Sequence, residues 1–154
     1  MKTGLKSPDF TAIDQDENKV KLKDYKGQWV VLYFYPKDNT SGCTIEAQDF
    51  TKQLKTFEKL NAQILGVSPD SPKSHCKFIE SKKLKVRLIS DGDHKVLEKY
   101  GVWQLKKNYG REYLGVARTT VLVDPQGKIA YVWEKVKVKG HVDDVKARLK
   151  ELSA

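Results

Sequence analysis

The residue types first suggest thiol chemistry, because the chain holds two cysteines, Cys43 and Cys76. Cys43 follows Tyr33-Phe34-Tyr35-Pro36-Lys37-Asp38-Asn39-Thr40-Ser41-Gly42 and precedes Thr44-Ile45-Glu46. An apolar, strand-like run ends at Pro36, and a helical pattern begins near Cys43. A cysteine in a first helical turn meets free backbone N–H groups and the positive end of the helix dipole, so thiolate is favoured over thiol. The sulfur is then a competent nucleophile. Thr40 can give a hydroxyl to that sulfur or to a bound oxygen, Pro36 can cover the thiolate from water, and Gly42 lets the backbone approach closely. An acceptor that develops negative charge needs donors, a guanidinium among them. The candidate is Arg118, directly before Thr119-Thr120-Val121-Leu122-Val123.

Each of these residues also has an ordinary reading. Cys43 on an apolar stripe could be a core cysteine, Arg118 a surface cation, Thr40 a turn cap and Glu46 a residue that favours a helix N-terminus. His75 beside Cys76 invites a hydrolase or a metal site. Two cysteines and three histidines without close ligand pairs do not give zinc spacing, so His75 reads as a helix surface or packing residue and no metal is expected. A dithiol oxidoreductase would want Cys-x-x-Cys, and position 46 is glutamate.

The elements that must position these groups can be read from periodicity. Phe10 to Ile13 and Val20 to Lys23 flank a polar turn, a hairpin pattern. Trp29 to Tyr35 is a continuous apolar run of the kind a buried central strand shows. Cys43, Ala47, Phe50, Leu54 and Phe57 recur at four, three, four and three, predicting one long helix with Cys43 in its first turn. Ile64 to Ser68 predicts a strand, Pro72 to Lys82 a helix started by proline, Val86 to Ile89 a strand, and Val96 to Tyr100 a short helix. Thr119 to Val123 and Ile129 to Trp133 predict a hairpin across Asp124-Pro125-Gln126-Gly127. Val142, Val145, Leu149 and Leu152 predict a C-terminal amphipathic helix. Trp29, Trp103 and Trp133 read as packing residues rather than ligand platforms, although Trp103 could edge the active-site cleft. The sum is an α/β fold: a mixed central β-sheet flanked by helices, with parallel crossovers early and an antiparallel hairpin late.

Composition narrows the setting. At 154 residues without a linker, repeat or low-complexity tract, one domain spanning 1–154 is expected. A formal charge of +9 suggests acidic partners, but the lysines are scattered and lack interleaved aromatics, so no nucleic-acid role is expected. Lys135, Lys137 and Lys139 repeat with the period of a strand's solvent face. No apolar leader or membrane span is visible, which predicts a cytoplasmic protein in reducing surroundings.

Pro36-x-x-x-Thr40-x-x-Cys43 resembles the peroxiredoxin active-site motif Pro-x-x-x-Thr/Ser-x-x-Cys, and Arg118-Thr119-Thr120-Val121-Leu122-Val123-Asp124 resembles the segment with that family's arginine. Gly42-Cys43-Thr44-x-Glu46-Ala47, Gly66-Val67-Ser68, Ser74-His75, Leu88-Ile89-Ser90-Asp91 and Tyr100-Gly101-Val102-Trp103 are similar to the bacterioferritin comigratory protein, or peroxiredoxin Q, subgroup. The resemblance implies a thioredoxin-like fold and an antioxidant peroxidase without metal, haem or flavin. It implies that Cys43 attacks hydrogen peroxide or an organic hydroperoxide, becomes a sulfenic acid and is recycled by thioredoxin or another thiol. Pro36, Thr40, Cys43 and Arg118 form its catalytic set, with Glu46 orienting the arginine, and the subgroup leans monomeric. Two positions depart from the pattern. Ser41 replaces a common proline, and Gln48 stands where many members carry the resolving cysteine. Some members resolve from the following helix, about one turn beyond Cys76. Cys76 is thus either the resolving cysteine or an ordinary helix cysteine in a one-cysteine enzyme.

Overall fold

A computed structural model describes all residues, 1–154. The elements run β1 (Thr11–Asp14), β2 (Lys19–Lys21), a 3-10 turn (Leu22–Tyr25), β3 (Trp29–Phe34), α1 (Ser41–Lys52), α2 (Leu54–Lys59), β4 (Ala62–Ser68) and α3 (Pro72–Lys82). They continue with β5 (Arg87–Ser90), α4 (Lys95–Lys99), β6 (Trp103–Asn108), β7 (Arg111–Val116), β8 (Thr119–Val123), β9 (Ile129–Trp133) and α5 (His141–Ser153).

Seven strands form one sheet in the order β2-β1-β5-β4-β3-β8-β9. β3, β4 and β5 are parallel neighbours, while β3/β8 and β8/β9 are antiparallel. This is the mixed sheet the pattern predicts. Because successive side chains of a strand point to opposite faces, the unbroken apolar run of β3 feeds two cores at once. Val30, Leu32 and Phe34 join a cluster with Val96 and Leu97 of α4 and Tyr100. Val31, Tyr33 and Tyr35 join the other, with Phe50 of α1, Phe57 of α2, Phe78 of α3 and Val145 of α5. Cys43 belongs to this second cluster, so the helices α1, α2, α3 and α5 share its face of the sheet.

The close packing under Cys43 depends on one glycine. Gly66 of β4 lies beside Tyr33 of β3 in register. A methyl group there would come within 2.6 Å of the Tyr33 ring and 2.8 Å of Leu88. Its missing side chain lets the tyrosine lie across the neighbouring strand and stack on Phe50 at 4.7 Å between ring centres.

Two sequence expectations need correction. The helix predicted from Cys43 to Phe57 is interrupted at Gln53, giving α1 and α2. Thr51 turns its hydroxyl back onto the Ala47 carbonyl at 2.8 Å, a bond that bends helices, and the apolar stripe simply continues past the break. The lysines at 135, 137 and 139 are not on a strand: β9 ends at Trp133, and Lys135 turns the chain out of the sheet with φ of 49°. Val136 and Val138 still alternate inward, but the Val136 N–H bonds the Arg118 carbonyl at 3.0 Å rather than a ladder partner. Trp103 is the packing residue its sequence reading makes it, and the alternative place for it at the cleft edge falls: it packs against the core opposite Cys43 and stacks on His94 at 3.9 Å. The ribbon of β6 and β7 was not anticipated at all.

Candidate active site

β3 is buried from Val30 to its end, and Tyr35, which follows it, is buried too. The chain leaves the sheet at the half-buried Pro36 and turns through Asn39 at φ 64° into α1. Thr40 is the extended residue before the helix, and the first i to i−4 bond runs from the Thr44 N–H to the Thr40 carbonyl at 2.9 Å. The N–H groups of Ser41, Gly42 and Cys43 therefore precede the intrahelical ladder and present the positive end of the helix. Cys43 is only 1% exposed.

Arg118 reaches this turn from the start of β8. One guanidinium nitrogen, Nη2, donates to the Cys43 sulfur at 3.1 Å, and the other, Nη1, donates to Glu46 Oε1 at 2.8 Å. Cys43 and Glu46 are three apart on α1 and so share a face, which is why one planar fork spans both. Gly42 makes room for it: a methyl group at that position would sit 3.4 Å from Nη2 and 3.8 Å from Val138. The loop at 134–140 thus closes over the same turn that Arg118 enters.

Burial dominates the electrostatics. Glu46 is fully buried, and desolvation pushes its carboxyl up to about 7 even though Arg118 pulls it down. Its second oxygen, Oε2, and the Tyr33 hydroxyl are both buried without a hydrogen-bond partner. Tyr33 is held well above the usual phenol range by burial first, then by the charges of Glu46 and Cys43. Lys106 of β6 is lowered by partial burial and next by Arg118, while Cys43 pulls it up, which brings the ribbon into the site's field. His141, at the start of α5, is pushed down to about 4, chiefly by burial, and pairs through Nε2 with the Thr120 hydroxyl at 2.8 Å.

Cys43, Glu46 and Arg118 are brought into direct contact, and Pro36 and Thr40 frame the turn they share. Thr40 differs from expectation in one respect. Its hydroxyl proton is given to the Lys37 carbonyl at 3.0 Å, not to sulfur, so the oxygen faces a ligand as an acceptor. Cys76 lies elsewhere. It is exposed on α3, its thiol donates to the Gln15 carbonyl at 3.0 Å, and no disulfide joins it to Cys43.

Sequence reasoning overlooked Tyr33 as the floor of the site and Asp38 as an anchor of its loop. Tyr33 gave no signal beyond strand hydrophobicity. Asp38 stands inside the quoted motif, but its partners lie on a distant helix. His75, read as a surface or packing residue, is fully buried and hydrogen-bonded to Asp38.

The AhpC/TSA family profile matches residues 3–132. The chain is 49% identical to peroxiredoxin Bcp of Bacillus subtilis over 150 residues, covering 97% of this chain and 96% of that protein. Against peroxiredoxin Bcp of Escherichia coli it is 40% identical over 151 residues, covering 98% and 97%. Among solved structures it superposes on Xanthomonas campestris bacterioferritin comigratory protein, studied for alkyl peroxide reduction as a trapped intermediate and ligand complex. That match has a TM-score of 0.93 at 39% identity, covering 99% of this chain and all of the other. BcpB of Mycobacterium tuberculosis matches with a TM-score of 0.86 at 32% identity, covering 98% and 97%. An arginine held on a buried helix-terminal thiol and full-length likeness to these proteins agree: this chain belongs to the AhpC/TSA family and is one of its peroxiredoxins.

Proposed function

We propose that Cys43 is the peroxidatic thiolate of a thiol-dependent peroxidase, with Arg118, Thr40, Pro36 and Glu46 as its immediate machinery. The observation that carries the reading is the divided arginine fork, 3.1 Å to sulfur and 2.8 Å to Glu46. A guanidinium donor favours the thiolate and stays in place to meet charge that develops beside it. The thiolate attacks the hydroxyl oxygen of ROOH. An S–O bond forms as the O–O bond breaks, leaving Cys43 as a sulfenic acid and RO−, which takes a proton and departs as alcohol, or as water when R is hydrogen. The Thr40 oxygen accepts the hydrogen bond of the bound peroxide, and Arg118 with the free N–H groups of the first turn steadies the leaving oxygen.

A thiol then condenses with the sulfenic acid to give a disulfide and water, and a reductant dithiol returns both sulfurs to thiols by two exchange steps, itself ending as a disulfide. We assign the resolving role to Cys76. Its exposed sulfur is accessible, and because a disulfide needs Cα atoms within about 7 Å, the first turn of α1 unwinds to deliver Cys43. The unit we infer is a one-domain monomer in the cytoplasm, served by thioredoxin. No helix is long and apolar enough to cross a membrane.

The deciding experiment treats the reduced protein with one equivalent of hydrogen peroxide and reads the intact non-reduced mass beside Cys43→Ser and Cys76→Ser. A monomer lighter by two hydrogens, absent from both variants, is expected. Oxygen adducts on Cys43 with Cys76 still reduced would transfer resolution to an external thiol, and unchanged peroxide consumption by Cys43→Ser would end the peroxidase reading.

A further inference from the structure

The loop between β3 and α1 is tied down by a buried polar network that the chemistry above does not use. Asp38 is the centre, at 6% exposure. Its Oδ1 accepts from the Tyr35 hydroxyl at 2.7 Å. Its Oδ2 accepts from the Ser74 hydroxyl at 2.7 Å and faces His75 Nδ1 at 2.8 Å. The other ring nitrogen, Nε2, faces the Ile89 carbonyl at 3.0 Å. A carbonyl can only accept, so Nε2 carries a proton, and a further proton lies between Nδ1 and the Asp38 carboxyl. His75 is fully buried, so the pair has no water to fall back on.

The same loop is fastened a second time through its backbone. The Asp38 N–H donates to Asp70 Oδ2 at 2.8 Å, and Asp70 Oδ2 also accepts from the Ser68 hydroxyl at 2.8 Å. The amide that gives this N–H has the Lys37 carbonyl as its other end, and a peptide unit is planar. That carbonyl is the acceptor that fixes the Thr40 hydroxyl. A rigid path therefore runs from His75 and Asp70 through one peptide plane to the oxygen that meets the peroxide.

We infer that Asp38 and His75 are positioning residues of the peroxidase site: they clamp the Lys37–Asp38 peptide to α3, and through it set the orientation of Thr40 beside Cys43. The inference rests on Cys43 being the attacking thiolate. The clamp acts on peroxide attack rather than on recycling, because it holds the wall of the site and makes no hydrogen bond to Cys76, the next residue of α3, which is exposed and bonded to Gln15.

The test is the second-order rate of Cys43 oxidation by hydrogen peroxide, normalised to folded protein and measured beside the thermal midpoint. The variants are Asp38→Ala, Asp38→Asn, His75→Phe and Tyr35→Phe, with Cys43→Ser as the control. Asp38→Ala and His75→Phe should lower the rate about tenfold to a hundredfold, the cost of misplacing a reacting group by about an ångström. Asp38→Asn can still accept from Tyr35 and donate to His75 and Ser74, so it should restore most of the rate. Tyr35→Phe deletes one hydrogen bond at nearly constant volume, and should give a smaller loss in the same direction even where larger changes fail to fold. Variants that lose thermal stability but keep the wild-type rate per folded molecule would reduce the network to a structural role and overturn the inference. A Cys43→Ser protein that still consumes peroxide would instead remove the reading beneath it.

Discussion

At Cys43 the sulfur receives a hydrogen bond from Arg118, and at Cys76 the sulfur gives one to the Gln15 carbonyl. The two thiols differ in every other respect as well: the first is buried at a helix N-terminus, the second exposed within a helix. A donor aimed at sulfur favours the anion, whereas an acceptor aimed at sulfur is satisfied only while the proton remains. The proposed mechanism accordingly gives the attack to the more buried cysteine, on its hydrogen-bond donor rather than on its exposure.

The largest expected effect comes from making Cys43 resemble Cys76. Arg118→Ala removes the donor, and loss of one such preorganised donor costs about 10²-fold to 10³-fold in rate. Stopped-flow peroxide oxidation should show that loss, and iodoacetamide should label Cys43 more slowly while Cys76 labels as before. An unchanged oxidation rate would remove Arg118 from the mechanism.

The next effect is on pH. Glu46 is raised from 4.5 to about 7, so burial favours its neutral form. Its contribution to stability is present below 4.5 and lost as pH rises through 7, an amount of roughly 3 kcal/mol at 1.36 kcal/mol per unit. His141 is lowered from 6.5 to about 4, so its contribution is present above 6.5 and lost as pH falls through 4. The two slopes oppose each other between pH 4.5 and 6.5. Relative to wild type, Glu46→Gln should make stability rise more steeply with pH in that window, and His141→Gln should make it fall. Urea midpoints at half-unit intervals would check both signs. Glu46→Gln should also slow peroxide attack several-fold, since the amide holds the guanidinium less firmly.

The smallest effect is expected at the other sulfur. Cys76→Ser keeps a hydroxyl that can donate to Gln15, so the rate of the first oxidation and the thermal midpoint should stay near wild type. Only the second kinetic phase should change. A slower first phase would mean that the two cysteines are less separate than their surroundings suggest.

The parts of this molecule legible from residue order are those where burial imposes a period. β3 and the hairpin of β8 and β9 fall where the apolar runs put them, α3 begins at the proline read as its start, and the loop from Pro36 to Cys43 carries its chemistry in residue identity. The ribbon of β6 and β7 escaped because it has little buried face: Leu105 and Leu114 sit opposite one another yet are 60% and 59% exposed. Val136 and Val138 have the alternation of a strand, but alternation reports an inward face, not a ladder partner. The clamp around Asp38 was invisible because it joins residues 36 and 37 positions apart, and polar residues have no period to betray them.

Gly66 places the floor of the site under a different kind of control. The Tyr33 ring lies flat only because nothing grows from the strand beside it, so an added methyl group would lift an aromatic plate toward the turn that holds Cys43. The space around the Cys43 sulfur is in this sense metered from behind, by the absence of a side chain on the strand that Tyr33 lies across. A paired change, Gly66→Ala with a smaller residue at 33, would be the natural way to reshape the chamber without touching any group that takes part in the chemistry.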